Sequence, residues 1–175
     1  MIYPLFSQLP NCRKIGEGVY GEVFMNKTTS GVPVVLKIIP IEGDQLINGE
    51  PQKKFSEILS EVVIAMELSS LRNGKDFMTN GFVNVKKITC VQGVYPAHLI
   101  DLWELYRDNS DTENDHPDVF LDDQLFIVFE LANAGQDLEA FTFDNAHQSN
   151  SAFLQVSHRM VNVCVTLFYF QLCLI

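Results

Sequence analysis

The residues with the clearest chemical potential are three glycines, followed along the chain by an isolated lysine and an isolated glutamate. Gly16, Gly18 and Gly21 form a G-x-G-x-x-G pattern in the stretch KIGEGVYGEV. Glycines at this spacing let backbone N–H groups approach phosphate oxygens that side chains would block. Turns, dinucleotide-binding folds and kinases all use the pattern, so other residues of the sequence are needed to distinguish between them. Lys37 and Glu61 are the neighbours that stand out, because each is charged within an apolar stretch.

The segment after the glycines predicts a β-hairpin that carries Lys37. A short β-rich run leads into a Thr/Ser/Gly turn, and a second β-branched run extends from Val32 to Ile41. A dinucleotide-binding fold would need a helix directly after the glycines, and a Walker loop would end in Gly-Lys-Ser/Thr. The sequence has neither feature, which excludes both of these phosphate sites.

The segment Phe55 to Leu71 predicts a helix, because it contains no Gly or Pro and its apolar residues recur at helical spacing. One side of this helix is expected to carry Ile58, Glu61, Ala65 and Leu68. Glu61 would then be buried inside an apolar stripe, where a carboxylate needs a partner.

The remaining elements are predicted from shorter patterns. Alternation from Gly81 to Pro96 indicates strand segments around a Gly turn, and Leu99 to Tyr106 indicates a short helix. Asp108 to Asp118 is typical of an acidic loop, and Gln124 to Leu131 of a buried strand that leads into a small-residue connector. The last part begins as a helix and ends in an apolar run from Val161 that is short for a membrane-spanning helix.

Composition narrows the range of partners. The 175 residues suit one domain, and the net charge of -10 is uneven: residues 1–100 carry ten Lys/Arg against nine Asp/Glu, and residues 101–175 carry two against thirteen. Such an acidic surface disfavours direct nucleic-acid binding and attracts basic peptides. The four scattered cysteines predict neither a zinc site nor a disulfide framework. No signal peptide is predicted, so we expect a reducing intracellular setting and no membrane partner.

Taken in order, a glycine-rich hairpin, a strand lysine in VVLK and a helix glutamate resemble the amino-terminal lobe of a protein kinase. The segments IIPIEGDQLINGEPQKKFSEILSEVVIAMELSSL, GFVNVKKITCVQGVYP and DDQLFIVFELANAGQDLE are also similar to the haspin family, over roughly Cys12 to Val156. The resemblance implies an α+β small lobe, with an antiparallel sheet, a glycine-rich hairpin and a regulatory helix. It also implies transfer of phosphate from ATP, with Mg²⁺, to a threonine of a histone tail in mitotic chromatin, and hence a nuclear or chromosomal location.

The resemblance implies roles for individual residues. Lys37 would bind the α- and β-phosphates and Glu61 would hold it in place, while Val23 would cover the adenine. Leu131 would take the gatekeeper position. The residues expected to bind the nucleotide are Ile15, Gly16, Glu17, Gly18, Val19, Tyr20, Gly21, Val23, Lys37, Ala132, Ala134 and Asp137. Asp137 and Glu139 would stand at the rim of the cleft, near the ribose or the basic histone peptide.

The same resemblance implies a division of the chain into a lead-in (1–11), a small lobe (12–131), a hinge (132–136), the start of a large lobe (137–156) and a divergent apolar tail (157–175). The catalytic aspartate and the metal-binding residues of kinases are missing from the sequence, since SHRM has Met160 where His-Arg-Asp would have its aspartate. No metal ligand is therefore predicted. We expect an inactive, incomplete copy with a truncated large lobe, produced by a frameshift, a retained intron or an alternative terminus.

Three functions remain open on the sequence. The first is a haspin-type serine/threonine kinase, of which this chain holds the ATP-positioning half. The second is a non-catalytic module that binds nucleotide weakly or occupies partners of a complete kinase. The third is an acidic interaction protein that holds a basic partner through Asp101 to Asp123.

Overall fold

A computed structural model of the chain describes residues 11–73, 78–135 and 141–158. The strands are β1 (Arg13–Gly18), β2 (Gly21–Lys27), β3 (Pro33–Ile41), β4 (Leu46–Ile47), β5 (Glu50–Pro51), β6 (Val85–Gln92) and β7 (Leu125–Ala132). The helices are α1 (Phe55–Ser70), α2 (Ala97–Asn109) and α3 (146–158), with single 3-10 turns at Leu71–Asn73 and Pro117–Val119.

The described residues form two compact units. The first combines the chain up to Ala65 with Asn84–Asn133, and the second combines Met66–Val83 with the chain from Ala134 onward. The first unit holds a five-stranded antiparallel sheet in the order β1-β2-β3-β7-β6. This architecture confirms the predicted α+β fold with an antiparallel, small-lobe type of sheet.

The central strand β3 contributes side chains to both faces of the sheet. Its β-branched run is typical of a strand that is buried on both faces. One face carries Phe24, Leu36 and Ile38, which pack with the buried Leu99 of α2. The other face carries Ile39, Ile41, Ile127 and Phe129, which pack with Ile58 of α1. Two apolar layers therefore hold the sheet between α1 and α2, and burying Ile58 or Leu99 contributes about 1.5–3 kcal/mol each.

Helix α1 confirms the predicted helix, but its buried stripe differs from the expected one. Ile58, Val62 and Ala65 contact the sheet, at a spacing of i, i+4 and i+7. At 3.6 residues per turn, Glu61 lies to one side of this stripe rather than within it. The prediction that Glu61 is buried is wrong, since 36% of its side chain is exposed.

The connections between the strands are more structured than the sequence suggested. Helix α2 extends to Asn109, beyond the predicted short helix, and the acidic segment after it leads into the Pro117–Val119 turn. The hairpin of β4 and β5 was not predicted, although its Asn48-Gly49 turn is a typical hairpin sequence. Both turn residues have positive φ, 54° and 79°. Among the described residues, no helix is both long enough and apolar enough to cross a bilayer.

Candidate functional site

Lys37 and Glu61 come together between the central strand β3 and helix α1. The Nζ atom of Lys37 donates to Oε1 of Glu61 across 2.7 Å, from β3 to α1. The helix brings Glu61 to the strand because its neighbour Ile58 is fully buried against the same face of the sheet. About a third of each side chain is exposed, 38% for Lys37 and 36% for Glu61. The pair is thus formed and still accessible to a ligand.

The glycine-rich stretch forms a tight hairpin between β1 and β2. Gly18 pairs with Gly21, which leaves Val19 and Tyr20 at the turn. A Cβ atom at Gly16 or Gly18 would meet no atom within 4 Å. A Cβ atom at Gly21 would lie 2.1 Å from the carbonyl oxygen of Ile38. Open space thus surrounds the first two glycines, whereas the third is required by the close approach of β3.

Several other predicted residues lie on the same strands. Val23 pairs with Lys37 in the register of β2 and β3, so both side chains point to the α1 face of the sheet. Ile15 of β1 is 38% exposed, and the turn residues Val19 and Tyr20 are 54% and 37% exposed. The hairpin therefore presents side chains that a nucleotide base or phosphate could contact.

The residues predicted for the hinge are only partly described. Leu131 and Ala132 end β7, opposite Val35 and Val34 of β3. The backbone N–H of Ala132 donates to the carbonyl of Asn84 at 2.8 Å. Ala134 belongs to the second unit. Gln136 and the two acidic residues predicted for the rim, Asp137 and Glu139, lie outside the described residues.

Lys53 is a cation at this site that the sequence analysis missed. Its Nζ atom lies 3.8 Å from Oε2 of Glu61 and 4.4 Å from the centre of the Tyr20 ring. A bridge between Lys53 and Ile41 brings it beside the end of β3. No local pattern marks this residue, because the contact depends on how the chain returns to the sheet before α1. Lys53 links the hairpin turn to the Lys37–Glu61 pair.

A buried charge cluster behind the glycine-rich hairpin was also missed. The side chain of Lys14 has no exposed surface and forms ion pairs with Glu17 and, at 2.8 Å, with Glu22. Its ammonium group also lies 3.9 Å from the centre of the Tyr106 ring on α2. Burial raises the pKa of Glu17, but hydrogen bonds from Lys14, Thr112 and the backbone outweigh that effect and lower it overall. Glu17 therefore stays ionised at neutral pH.

A metal site needs several acidic, histidine or cysteine side chains close together. Over residues 11–73, 78–135 and 141–158, no group of three or more His, Cys, Asp or Glu side chains could hold a metal ion. The structure therefore assigns no metal ligand among the described residues.

Comparison with known proteins identifies relatives of this chain. A family model described as a haspin-like kinase domain matches residues 3–171, and so continues past Val156 into the segment expected to diverge. A serine/threonine-protein kinase haspin homolog of Drosophila melanogaster is 49% identical over 155 residues, which is 85% of this chain and 27% of that protein. The haspin of Bos taurus is 49% identical over 132 residues, 75% of this chain and 17% of that protein. The homolog of Arabidopsis thaliana is 37% identical over 147 residues, 82% of this chain and 24% of that protein.

These relatives are much longer than the present chain, which spans 17% to 27% of their length. The family match nevertheless covers nearly all of its residues. It also covers the strands and the helix that bring Lys37, Glu61 and the glycine-rich hairpin together. The chain belongs to the haspin-like serine/threonine kinase family.

Proposed function

We propose that this chain forms the ATP-positioning part of a haspin-type protein serine/threonine kinase. The observation that carries the proposal is the 2.7 Å contact between Lys37 and Glu61, on the same face of the sheet as Val23. An ammonium group has three N–H donors, so Lys37 can bind Glu61 and still donate to phosphate oxygens. Kinases use such a pair to hold the α- and β-phosphates of ATP.

The glycine-rich hairpin fits the same ligand. The empty space around Gly16 and Gly18 would admit phosphate oxygens close to the backbone. Val23 would cover the adenine, and the backbone of residues 132–136 would bind its edge. ATP would supply the phosphoryl group and Mg²⁺ would accompany its phosphates, but the described residues offer no acidic cluster for the ion, and we assign no metal ligand.

The substrate side of the proposal comes from the family. We infer a threonine hydroxyl of a basic histone tail as acceptor, with Asp137 and Glu139 at the rim of the cleft and a nuclear or chromosomal setting. The net charge of -10 is complementary to such a peptide. We further propose that residues 12–131 act as the small lobe, 132–136 as the hinge and 137–156 as the start of the large lobe.

Nucleotide binding is the part of this function that can be measured on the chain itself. The sequence contains no His-Arg-Asp or Asp-Phe-Gly motif, so transfer would need residues that it does not hold. Thermal shift and calorimetry with Mg-ATP should show binding by the original chain and a loss of tenfold or more, on the order of 1.4 kcal/mol, in Lys37→Ala. Lys27→Ala, at the end of β2, removes a different exposed lysine of the same sheet and serves as the control. Equal shifts in all three proteins would refute the nucleotide site.

A second candidate is a nucleotide- or partner-binding module without transferase activity. The two candidates differ in phosphate transfer from labelled ATP to a histone-tail peptide. Transfer above the background of Lys37→Ala would exclude the non-catalytic module, whereas ATP binding without transfer would support it.

The third function, an acidic arm for a basic partner, is less well supported by the contacts of the acidic segment. Asp115 binds the backbone of Asn48, and the backbone N–H of Glu113 donates to Glu17. This part of the segment is therefore packed against the sheet rather than extended for a partner. Reversing the exposed charges of Asp108 and Asp111 should leave binding of a basic peptide unchanged; a loss of binding would favour the acidic arm instead.

A further inference from the structure

We propose that Asn48 and Asn114 are positioning residues that clamp the turn of the glycine-rich hairpin and fix the direction of its peptide groups. The inference deepens the proposed function, since it rests on the hairpin being the phosphate-binding element. Neither asparagine belongs to the glycine pattern or to the Lys37–Glu61 pair.

The clamp consists of side-chain amides that donate to backbone carbonyls of the turn. Nδ2 of Asn48 donates to the carbonyl of Val19 at 2.9 Å. Nδ2 of Asn114 donates to the carbonyl of Gly18 at 3.2 Å and to Oε1 of Glu22 at 2.8 Å. Two consecutive carbonyls of the turn are therefore held by donors from two different segments of the chain.

The two clamping residues are themselves held in place. The backbone N–H of Asn48 donates to Oδ2 of Asp115, and the backbone N–H of Asp115 donates to Oδ1 of Asn48, both at 2.6 Å. Asn48 also has a positive φ of 54°, a conformation that the β4–β5 turn requires and that asparagine adopts more readily than most residues. The amide of Asn48 therefore cannot rotate away without losing the contact to Asp115.

A second set of contacts joins the same acidic segment to β1. Oε2 of Glu17 accepts from the hydroxyl of Thr112 at 2.6 Å, and Oε1 accepts from the backbone N–H of Glu113 at 3.2 Å. Lys14, fully buried between Glu17 and Glu22, anchors this side of the hairpin. A buried ion pair is costly to break because it leaves an unpaired charge, so the base of the clamp is firmly set.

The clamp acts from the face of the sheet that lies opposite Lys37. Side chains alternate along β2, so Glu22 shares a face with Phe24, whose core includes Leu99 of α2. Val23 and its partner Lys37 face the other way. Asn114, which binds Glu22, therefore approaches the hairpin from the α2 side.

Holding these two carbonyls also sets the direction of the backbone N–H groups that would bind phosphate. The described residues contain no cis peptide bond, and in a trans peptide the carbonyl and the following N–H point in opposite directions. With the carbonyls of Gly18 and Val19 held by the clamp, the N–H groups of Val19 and Tyr20 point away from it. Donors that are fixed before a ligand arrives bind at a lower entropic cost. The clamp thus presets two backbone donors for the phosphates of the nucleotide.

The test compares Asn48→Asp with Asn109→Asp. The first change keeps the acceptor and the tolerance of positive φ but removes the donor to Val19. The control makes the same change at Asn109, whose amide donates to the carbonyl of Leu105 on α2 at 2.7 Å, away from the turn. Asn48→Gly, which also tolerates the backbone conformation, serves as a second variant without an added carboxylate.

Affinities for Mg-ATP and for adenosine, which lacks the phosphates, are measured together with NMR order parameters of the backbone N–H groups of Val19 and Tyr20. We expect both Asn48 variants to bind Mg-ATP roughly two- to tenfold more weakly, to bind adenosine unchanged and to show lower order parameters at these two residues. The Asn109 control should match the original chain. Equal losses for ATP and adenosine, or unchanged order parameters at the turn, would overturn the clamp. If the original chain binds neither ligand, the proposed ATP site fails, whereas the order parameters without nucleotide still decide whether the clamp exists.

Discussion

Replacing Gly21 by alanine should destabilise the fold, because the new methyl group would meet the backbone of β3. The Cβ atom would lie 2.1 Å from the oxygen and 3.1 Å from the carbon of the Ile38 carbonyl, and 3.2 Å from Cα of Ile39. Ordinary contacts of a Cβ atom begin at 3.4 Å. The two strands would have to separate by more than about 1 Å, a shift that a packed core resists.

The expected loss of stability is large because β3 carries residues of both apolar layers. Ile38 and Ile39 are 3% and 1% exposed, one in each apolar layer, and both pair with β7. A shift of this segment therefore disturbs both cores and the central ladder at once. Overpacking of a core costs about 1–3 kcal/mol, and we expect the upper end, about 3 kcal/mol, for Gly21→Ala. That is a large part of the roughly 5–15 kcal/mol by which domains are stable.

Urea unfolding followed by the fluorescence of Trp103 would measure this cost. Trp103 is the single tryptophan of the chain and is 3% exposed, so it reports directly on the first unit. Gly18→Ala is the matched control, because its Cβ atom would meet nothing within 4 Å. The control should change the free energy of unfolding by less than about 0.5 kcal/mol. Equal midpoints for the Gly21→Ala and original proteins, or a similar loss in Gly18→Ala, would refute the steric reasoning.

Three further outcomes are expected. Lys37→Met should change the free energy of unfolding by less than about 1 kcal/mol, because an ion pair this exposed is screened by solvent; a larger loss in urea unfolding would contradict this. Ile58→Ala should cost about 2–5 kcal/mol in the same assay, since Ile58 is fully buried, and a change below 1 kcal/mol would argue against the α1 packing. Burial raises the pKa of Cys12 to about 11, so at pH 8 only about one molecule in a thousand carries the reactive thiolate there. Iodoacetamide should therefore modify the exposed Cys90 well before Cys12, and Cys12 labelling should rise as the pH approaches 11; peptide mapping that finds equal rates at pH 8 would contradict this.

Individual strands and helices could be predicted because the residues that favour them lie within the element itself. The β-branched run of β3 and the absence of Gly and Pro from α1 define these elements within their own residues. The order of glycines, lysine and glutamate was enough to suggest the kinase family, and the chain does belong to it. Where the prediction concerned burial, as for Glu61, it was wrong, because a stripe on a helix does not say which of its edges meets the sheet.

The tertiary structure decided the contacts between residues that are distant in sequence. The glycine pattern is visible in the sequence, but glycine is needed at position 21 because β3 approaches the backbone there. Similarly, Lys53 contacts Glu61 because the chain returns to the sheet beside Ile41. Asn114 reaches Gly18 across 96 positions of the chain. Such contacts depend on the order and register of the sheet and on the packing of α2 against it. Periodicity acts within one element, whereas these distances are set by how several elements pack together.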